Sequence, residues 1–268
     1  MKKASYVLVF LVIATIMSTT IVALSENPQD YYKVLVGGIQ IYTDVPDSND
    51  NNDLLCSIGF PAYYYVPPTA PDRPGYYVFG FVTASHCGEE SFGVYQPDKS
   101  NPSFYRGYIK IDPKHPRLTD SAFVKTEISY GTSPTTITDK VLYYNSEIPI
   151  IGYVTIDSLE PTTTIYKTGR TTGTTYGKYV GIDSFILKDY DGENIHIVHS
   201  IESLYDCDHG DSGGTVYLVE RFGGSIYAWV LGIHNGRTWI RYDSVWVEVG
   251  ISSPYNDTIA DLGVEAYG

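Results

Sequence analysis

Apolar and polar residues alternate along this chain in short runs broken by Gly, Pro, Asn and Asp, the period-2 signature of strands rather than the 3.6-residue period of helices. Val, Ile, Thr and Tyr gather in runs at 32–42, 54–60, 76–82, 104–111 and 122–128. They gather again at 163–167, 177–182, 185–189, 195–201, 215–219, 225–234 and 245–249. The first run carries a break at Gly37-Gly38. Between runs lie an acidic, Asn/Asp-rich loop at 43–53, a connection at 66–75 whose four prolines exclude regular pairing, and a polar segment at 112–120. Residues 131–140 and 144–150 read as the border between two halves, and the tail 255–268 has room for a short helix. Strands recurring about every ten residues with turn signals between them predict an all-β barrel or sandwich. The expected division is a unit at 26–140 and a second at 141–268.

Composition supports this picture and narrows the function. The 268 residues are 43% hydrophobic, enough for a sizeable core, and 26 tyrosines with 25 glycines and 15 prolines favour strands and turns. A formal charge of −13 without a long Lys/Arg run excludes nucleic acid and anionic lipid as partners. The first 25 residues carry Lys2 and Lys3, an apolar run at 6–17 and small residues at Ala23 and Ser25, which predicts a signal peptide cut after Ser25. Left uncut, the segment would be an outward-facing anchor, the one route to stable membrane association. Three cysteines, Cys56, Cys87 and Cys207, allow one disulfide outside the cytosol and leave one thiol over; spacing does not choose the pair. Asn256-Asp257-Thr258 is a glycosylation sequon.

The candidate chemistry centres on Gly210-Asp211-Ser212-Gly213-Gly214. A serine between glycines can sit on a tight turn with its hydroxyl exposed while the amides of Gly210 and Ser212 point together at a developing oxyanion; the same residues also suit a plain glycine-rich turn. Serine needs a base to act as a nucleophile, and an imidazole base needs a carboxylate to fix its tautomer. Among six histidines, His86 stands at the end of an apolar strand in Thr83-Ala84-Ser85-His86-Cys87-Gly88, where the ring would be rigidly placed. His115 lies in a Pro/Lys loop, and Asp120 directly precedes the apolar run Ser121-Ala122-Phe123-Val124. The chain order His86, Asp120, Ser212 is that of the two-barrel serine proteases. A metal site of His196, His199, Cys207 and His209 is disfavoured, because residues three apart on a strand face opposite ways. No metal or other cofactor is expected.

These motifs, with Leu35-Val36-Gly37-Gly38-Ile39, Cys56-Ser57-Ile58-Gly59-Phe60, Thr119-Asp120-Ser121-Ala122 and Gly169-Arg170-Thr171-Thr172-Gly173, resemble the chymotrypsin-fold serine peptidases in sequence order. The chain is most similar to their α-lytic/streptogrisin branch. The resemblance implies two packed six-stranded antiparallel Greek-key β-barrels with the active site in the cleft between them. It implies a secreted, monomeric serine endopeptidase acting on protein or peptide substrates through an acyl-enzyme, without cofactor. His86 would be the general base, Asp120 its orienting carboxylate and Ser212 the nucleophile, with the Gly210 and Ser212 amides as oxyanion hole. Cys56 and Cys87 match the family's disulfide. Lys167 falls where that branch places a cation against the aspartate before the nucleophile, here Asp211, which would hold the turn without zymogen processing. Tyr166 and Tyr176 stand where relatives often carry a cysteine pair, so an aromatic contact would replace a covalent tie. The cysteine usually six residues before the nucleophile is displaced, with Asp206 there and Cys207 next. Cys207, His209, His234, Asn235 and Gly236 are expected to wall the substrate pocket, and His234 matches a position where glutamyl endopeptidases also carry histidine, which tilts the expected specificity towards acidic side chains. Asp206, where a trypsin-like pocket places its aspartate, argues the other way. A different class of function, an extracellular binding module on a catalytically silent protease scaffold, would keep the fold and lose the chemistry.

Overall fold

The alternating runs form strands that bend, and hairpin pairings between sequence neighbours are joined by longer-range ones. A computed structural model describes residues 27–44, 54–70, 72–113, 117–126, 136–188 and 192–266. The expected leader with its cut after Ser25, and His115, lie outside the described residues. The first half holds β1 (Val34–Gly37), β2 (Gln40–Asp44), β3 (Leu54–Ser57), β4 (Pro61–Val66), β5 (Tyr76–Thr83), β6 (Gly93–Tyr95), β7 (Tyr105–Ile111) and β8 (Ala122–Thr126). The second holds β9 (Thr136–Tyr143), β10 (Ser146–Tyr153), β11 (Thr164–Gly169), β12 (Gly173–Lys188), β13 (Asn194–Ser203), β14 (Thr215–Phe222), β15 (Ser225–Tyr242) and β16 (Val245–Pro254). A short helix α1 (Tyr255–Leu262) and β17 (Glu265–Ala266) close the chain.

In the first sheet the order β4-β5-β8-β7-β6-β2-β3 closes on itself because β3 and β4 are two halves of one bent strand. At the bend, Ile58 N donates to Ile39 O on the β2 side, and Gly59 N donates to Val82 O on the β5 side. The second sheet closes by direct pairing: β11, β12, β13, β16, β15 and β14 form an antiparallel ring, each paired with the next and β14 returning to β11. Two chymotrypsin-like β-barrels result. Outside the rings, β10 runs parallel to β15, β9 pairs antiparallel with β10, and β1 runs parallel to β9. Each end of the chain crosses to the opposite half: β1 joins the second sheet, and β17 pairs with β4 of the first.

Several strand expectations need correction. The stretch read as a border loop at 131–150 contains the hairpin β9–β10, in which Ile137, Val141, Ile148 and Ile150 are buried beneath a polar outer face. The border expected at residue 140 therefore falls inside β9. The runs at 177–182 and 185–189 are one strand, β12, kept continuous by two register shifts. β15 continues past residue 234 to Tyr242. The barrels share a core: Phe60, Val82 and Phe123 from the first pack with Val141, Tyr217, Val230 and Ile233 from the second, and Leu262 of α1 joins them. A continuous apolar contact of this kind fixes the relative placement of residues carried by different barrels.

Candidate active site

His86 is presented by the end of β5. The strand finishes at Thr83, and Ser85–Cys87 form a single 3-10 turn whose last residue is bonded to Cys56 of β3. This Cys56–Cys87 disulfide ties the turn to the neighbouring strand. His86 Nδ1 lies 2.5 Å from Asp120 Oδ2. Asp120 is fully buried and also accepts from the His86 amide at 3.0 Å, Ser85 Oγ at 2.8 Å and Asn235 Nδ2 at 3.1 Å. Burial alone would raise the Asp120 carboxyl, but the neighbouring His86 and these donors outweigh it and hold it at about 2. Its own segment is anchored by α1, since Asp261 accepts from the amides of Leu118 and Thr119, each at 2.7 Å.

Ser212 sits on the turn that leads into β14. Gly210 and Gly213 adopt φ of 94° and 82°, where a side chain would be strained. A Cβ at Gly210 would also come within 2.6 Å of Arg170 Nη1. The turn is fastened to the first barrel, because Ser57 N donates to Ser212 O and Ser57 Oγ to Gly210 O, both at 2.8 Å. Beneath it lies a buried ion pair, Lys167 Nζ to Asp211 Oδ2 at 2.8 Å, with both side chains shut off from solvent. Asp211 accepts further from the amides of Thr171, Thr172 and Asp208 and from Thr172 Oγ1. Burial pushes both groups of the pair towards neutrality; for Asp211 the Lys167 charge and these donors prevail, and its carboxyl is held below the usual range. Lys167 also donates to Thr172 Oγ1. Neither the Gly210 nor the Ser212 amide is engaged in a hydrogen bond among the described residues, which leaves both for a ligand oxygen.

One cavity of about 290 Å³ collects His86, Ser212, Cys207, His209, His234, Asn235 and Gly236, together with Asp208, Leu187, Lys188 and Arg237. The last three had no motif to mark them; Leu187 and Lys188 arrive at the end of β12, and Arg237 on the continuation of β15. Asn235 does more than line the wall, since its amide nitrogen also reaches the Asp120 carbonyl at 2.7 Å. His234 is almost wholly buried, and burial together with the nearby Lys167 charge drives its pKa down to about 3, so the ring is neutral. Its Nδ1 meets the Tyr205 hydroxyl at 3.1 Å. Cys207 is a free, buried thiol pushed up to about 11 by burial. Asp206 is not among the lining residues; it is exposed, and its carbonyl accepts from Thr175 Oγ1. Tyr166 and Tyr176 sit opposite each other on β11 and β12 with ring centroids 5.6 Å apart. His199 pairs with Asp257 at 2.8 Å, and no cluster of three or more potential metal ligands occurs among the described residues.

No family model and no curated protein matches the chain. Solved structures do. Protease A of Thermobifida fusca is 21% identical over 87% of this chain and 98% of its own, with a TM-score of 0.55. A chymotrypsin of Cellulomonas bogoriensis is 20% identical over 87% and 97%, with a TM-score of 0.53. A glutamic acid specific serine protease, described as using a histidine triad in substrate binding, is 22% identical over 87% and 100%, with a TM-score of 0.54. At these identities the likeness establishes the chymotrypsin-like double-barrel fold.

Proposed function

We propose that this chymotrypsin-fold chain is a secreted serine endopeptidase with a preference for acidic side chains. The observation that carries the reading is the convergence of a His86–Asp120 pair from one barrel and Ser212 from the other on a single cavity. Asp120 accepts a hydrogen bond from Nδ1–H, which keeps the proton there and leaves Nε2 as the basic nitrogen of a neutral ring. Ser212 Oγ attacks the carbonyl carbon of the scissile bond as its proton passes to His86, and the negative oxygen that forms is met by the Gly210 and Ser212 amides. His86 returns the proton to the departing amine. Water then repeats the sequence against the ester, releasing the acid and restoring Ser212. No cofactor enters.

The preference rests on the cavity wall, where Lys188, Arg237 and a neutral, buried His234 face the substrate side chain and Asp208 is the one carboxylate. A substrate carboxylate gains charge-assisted bonds there. Secretion follows from the leader read in the sequence, and a monomer acting on proteins or peptides is the simplest assembly for a site built from one chain. Incubation with an organophosphonate and digestion of a randomised peptide library test the reading together. Labelling confined to Ser212 and cuts beside acidic residues are expected, both lost in Ser212→Ala. Folded protein that neither labels nor cuts would instead be a binding module on this scaffold.

A further inference from the structure

Asp120 belongs to the first barrel by sequence, yet its backbone is gripped by the second. Its amide donates to Ser253 Oγ of β16 at 3.2 Å, and its carbonyl accepts from Asn235 Nδ2 of β15 at 2.7 Å. Two residues earlier, the Leu118 carbonyl accepts from Val198 N of β13 at 3.0 Å. β8 begins only at Ala122, so Asp120 itself lies ahead of the strand. The fourth grip comes from α1 and is of another kind. A single oxygen, Asp261 Oδ2, accepts from the amides of Leu118 and Thr119 at 2.7 Å each and from the Thr119 hydroxyl at 2.8 Å.

The hydroxyls on either side of Asp120 join this contact. With Thr119 Oγ1 donating to Asp261, the 2.6 Å approach of Ser121 Oγ to Thr119 Oγ1 makes Ser121 the donor there, so a chain of bonds runs from Ser121 through Thr119 to Asp261. Both hydroxyl residues are buried. They are tied to α1 while the carboxylate between them meets His86. Hydrogen bonds to an ionised carboxylate are roughly twice as strong as neutral ones, and three on one oxygen make Asp261 the strongest of the four grips. Helix stability does not ask for an acid here. Asp261 lies in the last turn of α1, where the negative end of the helix dipole disfavours a carboxylate, and that turn holds no basic residue to offset it. The helix is itself fixed in place, since Leu262 enters the core shared by the barrels and β17 beyond it pairs with β4. A residue that its own helix disfavours, satisfied by three donors ahead of the catalytic carboxylate, breaks a local rule for the sake of the contact.

We propose that Asp261 is a positioning residue for the triad, holding residues 118–121 so that Asp120 stays in register with His86 Nδ1. The proposal rests on the endopeptidase reading. The end of the chain is then a strap laid from the second barrel across the first, and the barrel that carries Ser212 also aligns the carboxylate that serves it. Without the strap Asp120 keeps its charge but wanders from Nδ1. A wandering carboxylate stabilises the imidazolium less, so the ring gives up its proton at a lower pH. The titratable groups facing His86 are Asp120, the neutral His234 and, across the cavity, Asp208, His209, Lys188 and Arg237. Charges on the segment and the helix that meet at Asp261 are matched in pairs, Arg117 with Asp112 at 3.0 Å and His199 with Asp257 at 2.8 Å. A substitution at 261 alters none of them.

Two measurements test this. The first follows kcat and KM for a peptide substrate across pH. Asp261→Ala is expected to lower the plateau kcat by about tenfold to a hundredfold, to leave KM within about twofold, and to move the acid limb of kcat/KM to lower pH by about half a unit. Asp261→Asn keeps an acceptor oxygen in place; it should show the same changes at smaller size, and it carries the test if the alanine variant does not fold. Asp257→Asn removes an equal charge one turn earlier in the same helix and should leave the limb where it is. The second measurement titrates the His86 ring by NMR in Ser212→Ala protein, with and without the Asp261 substitutions, and needs no turnover. A fall in the titration midpoint supports the proposal even if the wild type cuts no peptide, a result that would sink only the endopeptidase reading. A lower Tm with limb and midpoint both unmoved reduces Asp261 to a fold-stabilising residue and overturns the proposal, as does an equal shift in Asp257→Asn.

Discussion

The two turns that meet in the cavity are held by opposite means. The His86 turn is fastened covalently, by Cys56–Cys87, and its carboxylate partner Asp120 sits just ahead of β8, the strand paired with β5 in the same barrel. The Ser212 turn has no covalent tie: Cys207 nearby is a free thiol, and the buried Lys167–Asp211 pair takes the load. A disulfide acts largely by restricting the unfolded chain and is indifferent to pH. A buried ion pair costs desolvation and returns it only in one geometry, so its contribution is to conformation more than to net stability. The difference places tolerance in the first barrel and precision in the second, where the Gly210 and Ser212 amides proposed to meet the oxyanion would have to point together.

The comparison breaks most completely if the precise half is left intact and the first barrel's carboxylate is altered. Asp120→Asn keeps the shape and removes the charge, and the amide can present its NH₂ to Nδ1, which stabilises the wrong tautomer of His86. A loss of about 10⁴ in kcat is expected, the size seen for this change in serine protease triads generally. Steady-state hydrolysis of a peptide substrate measures it, and a loss below about tenfold would remove Asp120 from the mechanism.

Acid separates the halves next. His234 in the second barrel is neutral when folded, with a pKa near 3 against 6.5 unfolded. Between those values the unfolded chain binds a proton that the folded chain does not, so stability falls as pH drops from 6.5, by about 4 to 5 kcal/mol at pH 3. Asp120 runs on a lower window: its folded pKa near 2 against 3.8 gives stabilisation that is complete above pH 4 and fades towards pH 2, worth about 2 kcal/mol. Denaturant melts across pH 7 to 3 should therefore show a slope already at pH 6, and His234→Leu should flatten it above pH 4. A wild type as stable at pH 4.5 as at pH 7 would contradict this origin.

The two fastenings can then be cut one at a time. Lys167→Met leaves Asp211 buried without its cation and should cost about 3 to 5 kcal/mol. Replacing Cys56 and Cys87 by serine releases a loop with a sequence separation of 31 and should cost about 3 to 4 kcal/mol in the chain-entropy account. Their signatures differ. The cysteine variant, once folded at low temperature, should retain most of its kcat, whereas the lysine variant should lose kcat even where fully folded, because the oxyanion turn relaxes. Equal loss of kcat in both would erase the distinction.

The halves also differ in how far they could be read before folding. Period-2 runs with β-branched and aromatic residues located most strands, but β9 and β10 were hidden by Thr138, Asp139 and Pro149, polar or turn-forming residues held in strands by the pairing of β9 with β10 and of β10 with β15. β4 was missed because Pro61 opens it beside a proline-rich connection. At the site, His86, Asp120 and Ser212 sit in local motifs and so could be nominated. Lys188 and Arg237 could not: Lys188 lies within an expected run with nothing local to aim it at the cavity, and Arg237 arrives on a strand that runs past its expected end, its length decided by cross-strand pairing rather than by local propensity. Apart from Lys167, the four donors around Asp211 were equally silent, since Thr171, Thr172 and Asp208 serve through backbone amides or a hydroxyl that ordinary loop residues also carry.

The smallest effect probes the floor of the cavity, where the second barrel's precision should show as selectivity. Burial keeps the Tyr205 hydroxyl protonated far above the usual range, and beside a neutral His234 it can donate to Nδ1 or accept from it; a substrate-reading role for His234 requires the hydroxyl to donate. The remaining ring proton is then on Nε2, free to donate to a substrate side chain. Tyr205→Phe removes that instruction without emptying the space, because the ring still packs against Gly250. One neutral hydrogen bond is worth about 1 kcal/mol, so the ratio of kcat/KM for acidic over neutral side chains should fall about fivefold. Since a purely structural role would lower both rates together, an unchanged ratio would show that His234 reads the substrate without Tyr205, or does not read it at all.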